Sequence, residues 1–236
     1  MMEKGLRSML VNLLVSLKDI YTFRELEAIT GVPQNNLWKY VSLSMVPEEP
    51  TAKKIYEEIR SKKVIEKAVA SMIDNIRAGE EWKSYWRTGY CDLAGFLLYE
   101  KLQYLKPDAI VVYPEKLMGI GMSLTRLLKK KLCIASSNKL CRSQSYVVEH
   151  YIDEYGYPSL IYLPRTCPPR GSRTVVIIEK TDKETVKAIS RLIHYRLQSR
   201  LAAITAILGK PEILEELNIP DQPKILVLEH MVGHTQ

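Results

Sequence analysis

Three polar stretches of this chain hold side chains suited to binding or catalysis. The first runs Glu179-Lys180-Thr181-Asp182-Lys183-Glu184-Thr185. Its acids and hydroxyls can accept hydrogen bonds from sugar hydroxyls, and its lysines can meet an anion such as a nucleotide phosphate. Asp182 and Glu184 have the spacing of a paired-carboxylate site, but alternation with Lys180 and Lys183 more readily makes an exposed, self-neutralised loop. The second stretch is Gln34-Asn35-Asn36, followed by Lys39 and Tyr40. Gln and Asn amides can bridge two edge groups of adenine, and lysine can reach guanine or phosphate, so this stretch suits double-stranded DNA. Thr22, with the amides beside it, could contact a DNA phosphate. The third comprises Glu115, Lys116 and Gly119, where Gly119-Ile-Gly121 either shapes a ligand loop or lets a helix pack tightly on a sheet.

Other chemistries lack their residues. The chain contains no G-x-x-x-x-G-K-[ST], no G-x-S-x-G and no H-E-x-x-H, and no cofactor is implied. Cys91, Cys133, Cys141 and Cys167 have no C-x-x-C spacing, and His150, His194, His230 and His234 do not cluster with them. Free buried thiols are therefore expected in preference to zinc ligands or disulfides.

The positioning elements follow from periodicity. Val175 to Ile178 is too short and too β-branched for a helix and reads as a strand buried on both faces. It ends at Glu179, and a helix with Val186, Ile189, Leu192 and Ile193 on one side follows, to about Leu197. Strand, polar loop, helix is the unit in which open α/β sheets place ligands, at the strand's carboxyl end. Further strands are predicted at Ala109 to Val112, Leu132 to Ala135, Leu201 to Leu208 and Lys224 to Leu228, the last ending in Glu229-His230. A helix from Gly119 through Leu128 and a short one at Pro211 to Leu217 lie between them. Tyr146 to Tyr151 and Leu160 to Leu163 form a strand pair around Glu154-Tyr-Gly-Tyr-Pro158. The prediction is α/β: a mostly parallel sheet in three layers.

The amino-terminal part is all-α. Helices are predicted over about Lys4 to Leu17, Thr22 to Thr30, Gln34 to Val41, Thr51 to Lys62, Val64 to about Ala78 and Asp92 to Leu105. Thr22 and Glu25 form a capping box, Gly31 supplies a left-handed helix end, and Pro33 opens the third helix. Leu37, Trp38 and Val41 are expected to face inward. A short helix, a glycine turn and a second short helix rich in Gln, Asn and Lys make a helix-turn-helix pattern. A protein-interaction or dimerisation arm is the alternative use of that pattern.

Arg173 to Thr185 resembles the phosphoribosyl-pyrophosphate loop of type I phosphoribosyltransferases. Glu179 stands where that family has the first of two adjacent acids, and Lys180 replaces the second. The loop is shorter than the family's Thr-Gly-Gly-Thr cradle and holds neither glycine. The Glu115-Lys116-Gly119 loop loosely matches the family's pyrophosphate loop, and Ser143 to Tyr146 falls where the family has a mobile loop. The first 62 residues look like the repressor class related to phage repressors. Together these parts resemble purine repressors of bacteria and orotate-phosphoribosyltransferase-like regulators of archaea.

That resemblance implies a helix-turn-helix domain over 1–62, a connecting helix over 63–80 and a phosphoribosyltransferase-like domain over 81–236. It also implies a homodimeric regulator binding a palindromic operator, whose α/β domain dimerises and senses a nucleotide or phosphoribosyl pyrophosphate. A ligand-free dimer scaffold and a working transferase remain alternatives. Composition agrees: 46% hydrophobic, 26% charged, net charge +7 and pI near 9.1 describe a mildly basic soluble protein. No apolar run approaches the roughly 18 residues of a membrane span. The start, MMEKGLRSML, reads as a helix and not a signal peptide, so a cytoplasmic location is expected. From Lys116 to Arg142 the chain has basic residues and no acid; the segment could face phosphates or be a solvated helix end.

Overall fold

The computed structural model describes residues 2–153 and 155–233. Glu154 and His234, named above, lie outside the described residues. The chain divides into two compact units, 1–97 and 98–236.

The first unit is helical: α1 (Met2–Ile20), α2 (Phe23–Thr30), α3 (Gln34–Val41), α4 (Glu49–Ser61), α5 (Val64–Arg77), α6 (Glu81–Tyr85) and the start of α7 (Thr88–Leu102). Leu10, Leu13, Leu14 and Leu17 of α1 recur every three or four residues, and all are buried. α2 and α3 meet at a turn in which Gly31 takes φ 70° and donates its N–H to the Glu27 carbonyl, a left-handed helix end. α4 and α5 are separate helices, because Lys63 between them adopts φ 52°. α7 begins at Thr88, ahead of the expected Asp92, and ends at Leu102, where a 3₁₀ turn (Gln103–Leu105) replaces its predicted last residues.

The second unit contains a five-stranded parallel sheet. In chain order its elements are β1 (Ala109–Tyr113), α8 (Met118–Leu128), β2 (Lys131–Ile134), β3 (Tyr146–Ile152), β4 (Pro158–Pro164), β5 (Arg173–Lys180), α9 (Lys183–Arg191), β6 (Arg200–Leu208), α10 (Glu212–Glu215), β7 (Lys224–Val227) and α11 (Leu228–Val232). The sheet order is β2-β1-β5-β6-β7, and β3 and β4 pair separately as an antiparallel hairpin. β5 lies at the centre, with Val175 to Ile178 fully buried as the continuous apolar run requires. Val111, Val176, Ile178, Ile204 and Ala206 share a core with Val186, Ile189, Leu192 and Ile193. Across the sheet, Gly121 lets α8 lie close: a methyl group there would stand 2.5 Å from Val112 and 2.8 Å from Leu132.

Two expectations are corrected. Cys133 and Cys167 form a disulfide with 5.5 Å between their Cα atoms, and only Cys91 is a free buried thiol; Cys141 is free but exposed. The pairing joins β2 to the loop after β4, a juxtaposition that no spacing motif encodes. Glu229 and His230 do not end a strand: β7 stops at Val227 and both residues lie in α11.

Candidate functional site

β5 delivers the Glu179–Thr185 loop to the carboxyl edge of the sheet, where a cleft of about 270 Å³ opens. Glu179, Lys180, Asp182 and Thr185 line it as the sequence suggests, together with Tyr113, Tyr151, Asp153 and Tyr155. Glu179, 15% exposed, accepts Lys116 Nζ at 2.7 Å, so two stretches far apart in sequence meet. Lys183 turns outward to Glu216 at 2.9 Å. Thr181 is buried, 7% exposed. Its Oγ1 accepts the Lys210 N–H at 3.1 Å. Gly209 packs against it with φ 112°, where a Cβ would overlap the Thr181 side chain. Lys180 is exposed at the cleft.

Asp182 closes the loop against the helix that follows. Its carboxylate accepts the N–H groups of Glu184 at 3.3 Å and Thr185 at 2.8 Å, capping α9. The amides at this helix start are the donors that would otherwise meet an anionic ligand. In this chain the Glu184 and Thr185 amides are taken by its own carboxylate. Asp153 is likewise engaged, accepting the N–H groups of Tyr155 and Tyr157 and the Ser159 hydroxyl.

Glu115 is exposed and, like Gly119, does not line the cleft. Ser143, Gln144, Ser145 and Tyr146 are not part of it either; the Tyr146 hydroxyl accepts the Cys141 N–H at 2.9 Å. The residues that sequence reasoning missed are tyrosines. The Tyr113 and Tyr151 hydroxyls lie 3.0 Å apart, and burial pushes the Tyr113 phenol well above its ordinary pKa. The available signal for Tyr113 was its place at the end of a buried strand, just before Pro114. Among the described residues, no group of His, Cys, Asp and Glu could hold a metal ion.

The first unit has its own polar face on α3. Gln34, Asn35 and Lys39 are exposed and Asn36 is half-buried. Gln34 donates from Nε2 to Glu27 at 2.7 Å, which fixes one amide of the face. Thr22 forms the expected capping box: its Oγ1 accepts the Glu25 N–H at 3.3 Å, and its own N–H donates to Glu25 at 2.7 Å. Those bonds to Thr22 hold the Glu25 carboxyl below its ordinary pKa. Two aromatic expectations exchange places. Tyr40, expected outward, is 5% exposed, whereas Trp38, expected inward, is 56% exposed. Leu37 and Tyr40 are three residues apart and share the buried side of α3, which turns Trp38 out by helix geometry.

No protein-family model and no curated protein matches the sequence. Solved structures do. The adenine phosphoribosyltransferase of Rhodothermus marinus DSM 4252 is similar over 59% of this chain and 78% of its own, with TM-score 0.50 and 17% identity. Those of Thermoanaerobacter pseudethanolicus ATCC 33223 and Saccharomyces cerevisiae match 59% of this chain and 79% and 80% of theirs, at TM-score 0.49 and 16% and 17% identity. The likeness is one of fold: a mostly parallel sheet flanked by helices, phosphoribosyltransferase-like. Among the described residues, no helix is long and apolar enough to cross a membrane.

Proposed function

We infer that this chain is a sequence-specific DNA-binding regulator, acting as a homodimer, whose phosphoribosyltransferase-like unit has given up phosphoribosyl transfer. α2, the Gly31 turn and α3 form the helix-turn-helix, and α3 presents Gln34, Asn35 and Lys39 to the major groove. Asn36 supports that face and Thr22 lies beside the phosphates. Tyr40 packs the helix and reads nothing. A dimer carries two such helices, so the operator is palindromic, with half-sites about one helical turn apart.

One observation supports the loss of transfer: the Asp182 carboxylate already accepts the Glu184 and Thr185 N–H groups at the start of α9. Lys180 adds to it, because an ammonium cannot accept a ribose hydroxyl. The unit therefore serves dimerisation, and any effector it senses enters a cleft framed by Tyr113, Tyr151 and Tyr155 rather than a phosphate cradle. Glu115, Lys116, Gly119, Thr181 and Lys183 support this edge without lining the cleft.

The test is footprinting on genomic fragments, including the chain's own promoter, across a salt series. A dyad-symmetric footprint that disappears in a Gln34→Ala/Asn35→Ala/Lys39→Ala variant is the expected result. Each lost bidentate base contact should weaken specific binding by about 1–3 kcal/mol. Weak binding indifferent to those substitutions would sink the reading. Incubation with adenine and phosphoribosyl pyrophosphate should yield no nucleotide; turnover would restore the transferase alternative.

A further inference from the structure

A second cavity, about 370 Å³ in volume, lies between α9 and the loop after α10 and shares no lining residue with the tyrosine cleft. Cavities of about 300 Å³ and above hold small molecules. One wall is a single side of α9, where Lys187, Ser190 and Arg191 stand three and four residues apart. α9 then runs on into a π turn, Leu192–Arg196, after which the Leu197 N–H donates to the Leu192 carbonyl, five residues back, at 3.0 Å. In an α-helix, side chains four apart drift about 40° round the axis, and a π turn reverses that drift. Tyr195 therefore stays on the side of Lys187 and Arg191 and lines the cavity with them, its ring 64% exposed.

The facing wall is apolar: Leu217, Ile219 and Pro220. Ile219 is buried in the core, and its N–H donates to the Leu217 carbonyl at 2.9 Å, which anchors the wall. The lining thus has an apolar side and two cations, with no carboxylate among its described residues. Acids outside the lining share those cations. Lys187 Nζ lies 2.6 Å from Glu184, in an exposed pair that exchanges readily. Arg191 donates from Nε to Glu149 at 2.6 Å, which leaves its Nη donors for a ligand. Arg196 Nε, 3.8 Å from the other Glu149 oxygen, keeps that carboxylate company. The Ser190 hydroxyl is buried and has no hydrogen-bond partner among the described residues. A buried hydroxyl without a partner costs stability, which a ligand oxygen at the cavity floor would recover.

We propose that this cavity binds a small amphipathic carboxylate. Its hydrocarbon or aromatic body lies on the apolar wall and the Tyr195 ring, and its carboxylate lies between Lys187 and Arg191. Two cations already shared with two acids leave room for one added negative charge, which suits a carboxylate better than a dianionic phosphate ester. The site belongs wholly to the second unit and does not rest on the DNA-binding reading.

The test titrates the full chain with phenylacetate and with hexanoate by calorimetry, with phenylacetamide as the neutral control. Saturable binding of an acid is expected, with the amide weaker by about tenfold. Lys187→Gln and Arg191→Lys should each weaken binding about tenfold, the second because lysine lacks the two-donor fork. Tyr195→Ala should weaken it about three- to tenfold. Lys187 and Tyr195 are exposed, so both variants should fold as the parent does. Ser190→Ala should weaken binding without lowering the Tm, since the hydroxyl has no partner to lose. Equal affinity for acid and amide overturns the proposal, as does indifference to the Lys187 and Arg191 changes. Failure of both acids to saturate below about 10 mM overturns it too. Binding lost in Lys180→Gln but kept in Lys187→Gln would place the ligand in the tyrosine cleft instead.

Discussion

The two edges of the parallel sheet treat charge in opposite ways. At the carboxyl edge, Glu179 holds Lys116, Lys183 holds Glu216 and Asp182 caps α9. At the amino edge, Arg173 lies level with Arg200 and Lys131 with Thr174, and none of the three cations has an ion-pair partner among the described residues. The difference teaches that a polar stretch is informative only once its internal bonds are known. The carboxyl-edge loop has the residue types of an anion site and has spent most of them on itself. The amino edge has no motif, yet these three cations are uncommitted.

Substitutions at the carboxyl edge measure how far that internal commitment holds. The largest effect is expected at Gly209→Ala. The new methyl would overlap Thr181 at a backbone φ of 112° that side chains rarely adopt, and a loss of about 3 kcal/mol should show in urea unfolding. A loss below about 1 kcal/mol would mean that Thr181 is not held as described.

Asp182→Ala comes next, with the loss of an N-cap costing about 1 kcal/mol. Its sharper readout is inorganic phosphate, which should raise the Tm of this variant and not of the parent, because the Glu184 and Thr185 amides become available. Equal responses would show that the carboxylate is not what excludes the anion. Lys183→Ala should change stability least, by about 0–0.5 kcal/mol, since its pair with Glu216 is solvent-exposed. A larger loss, seen in the same unfolding experiment, would make that pair part of a coupled network.

Much of the fold was legible in the residues. The β-branched run Val175 to Ile178 marked the central strand, and Thr22, Glu25 and Gly31 marked the ends of α2. These signals are local: a capping box or a two-residue alternation is satisfied within one turn or one strand. The candidate site was legible only in part. Glu179, Lys180, Asp182 and Thr185 line the cleft, but Tyr151, Asp153 and Tyr155 come from a hairpin whose placement at that edge is a tertiary fact. The exchange between Trp38 and Tyr40 has a related cause. An eight-residue helix has too few turns for its apolar stripe to be unambiguous, so the packing partner chooses the buried aromatic.

The sequence by itself determined the parallel α/β class, the helical amino-terminal unit, the capped α2 and a Glu179–Thr185 loop without glycine. Periodicity, capping and glycine content act over a few residues and need no distant partner. Only the tertiary structure decided that Cys133 meets Cys167, that Lys116 closes on Glu179 and that Arg173 lies beside Arg200. Those outcomes depend on strand order and register, which set the neighbours of residues far apart in the chain.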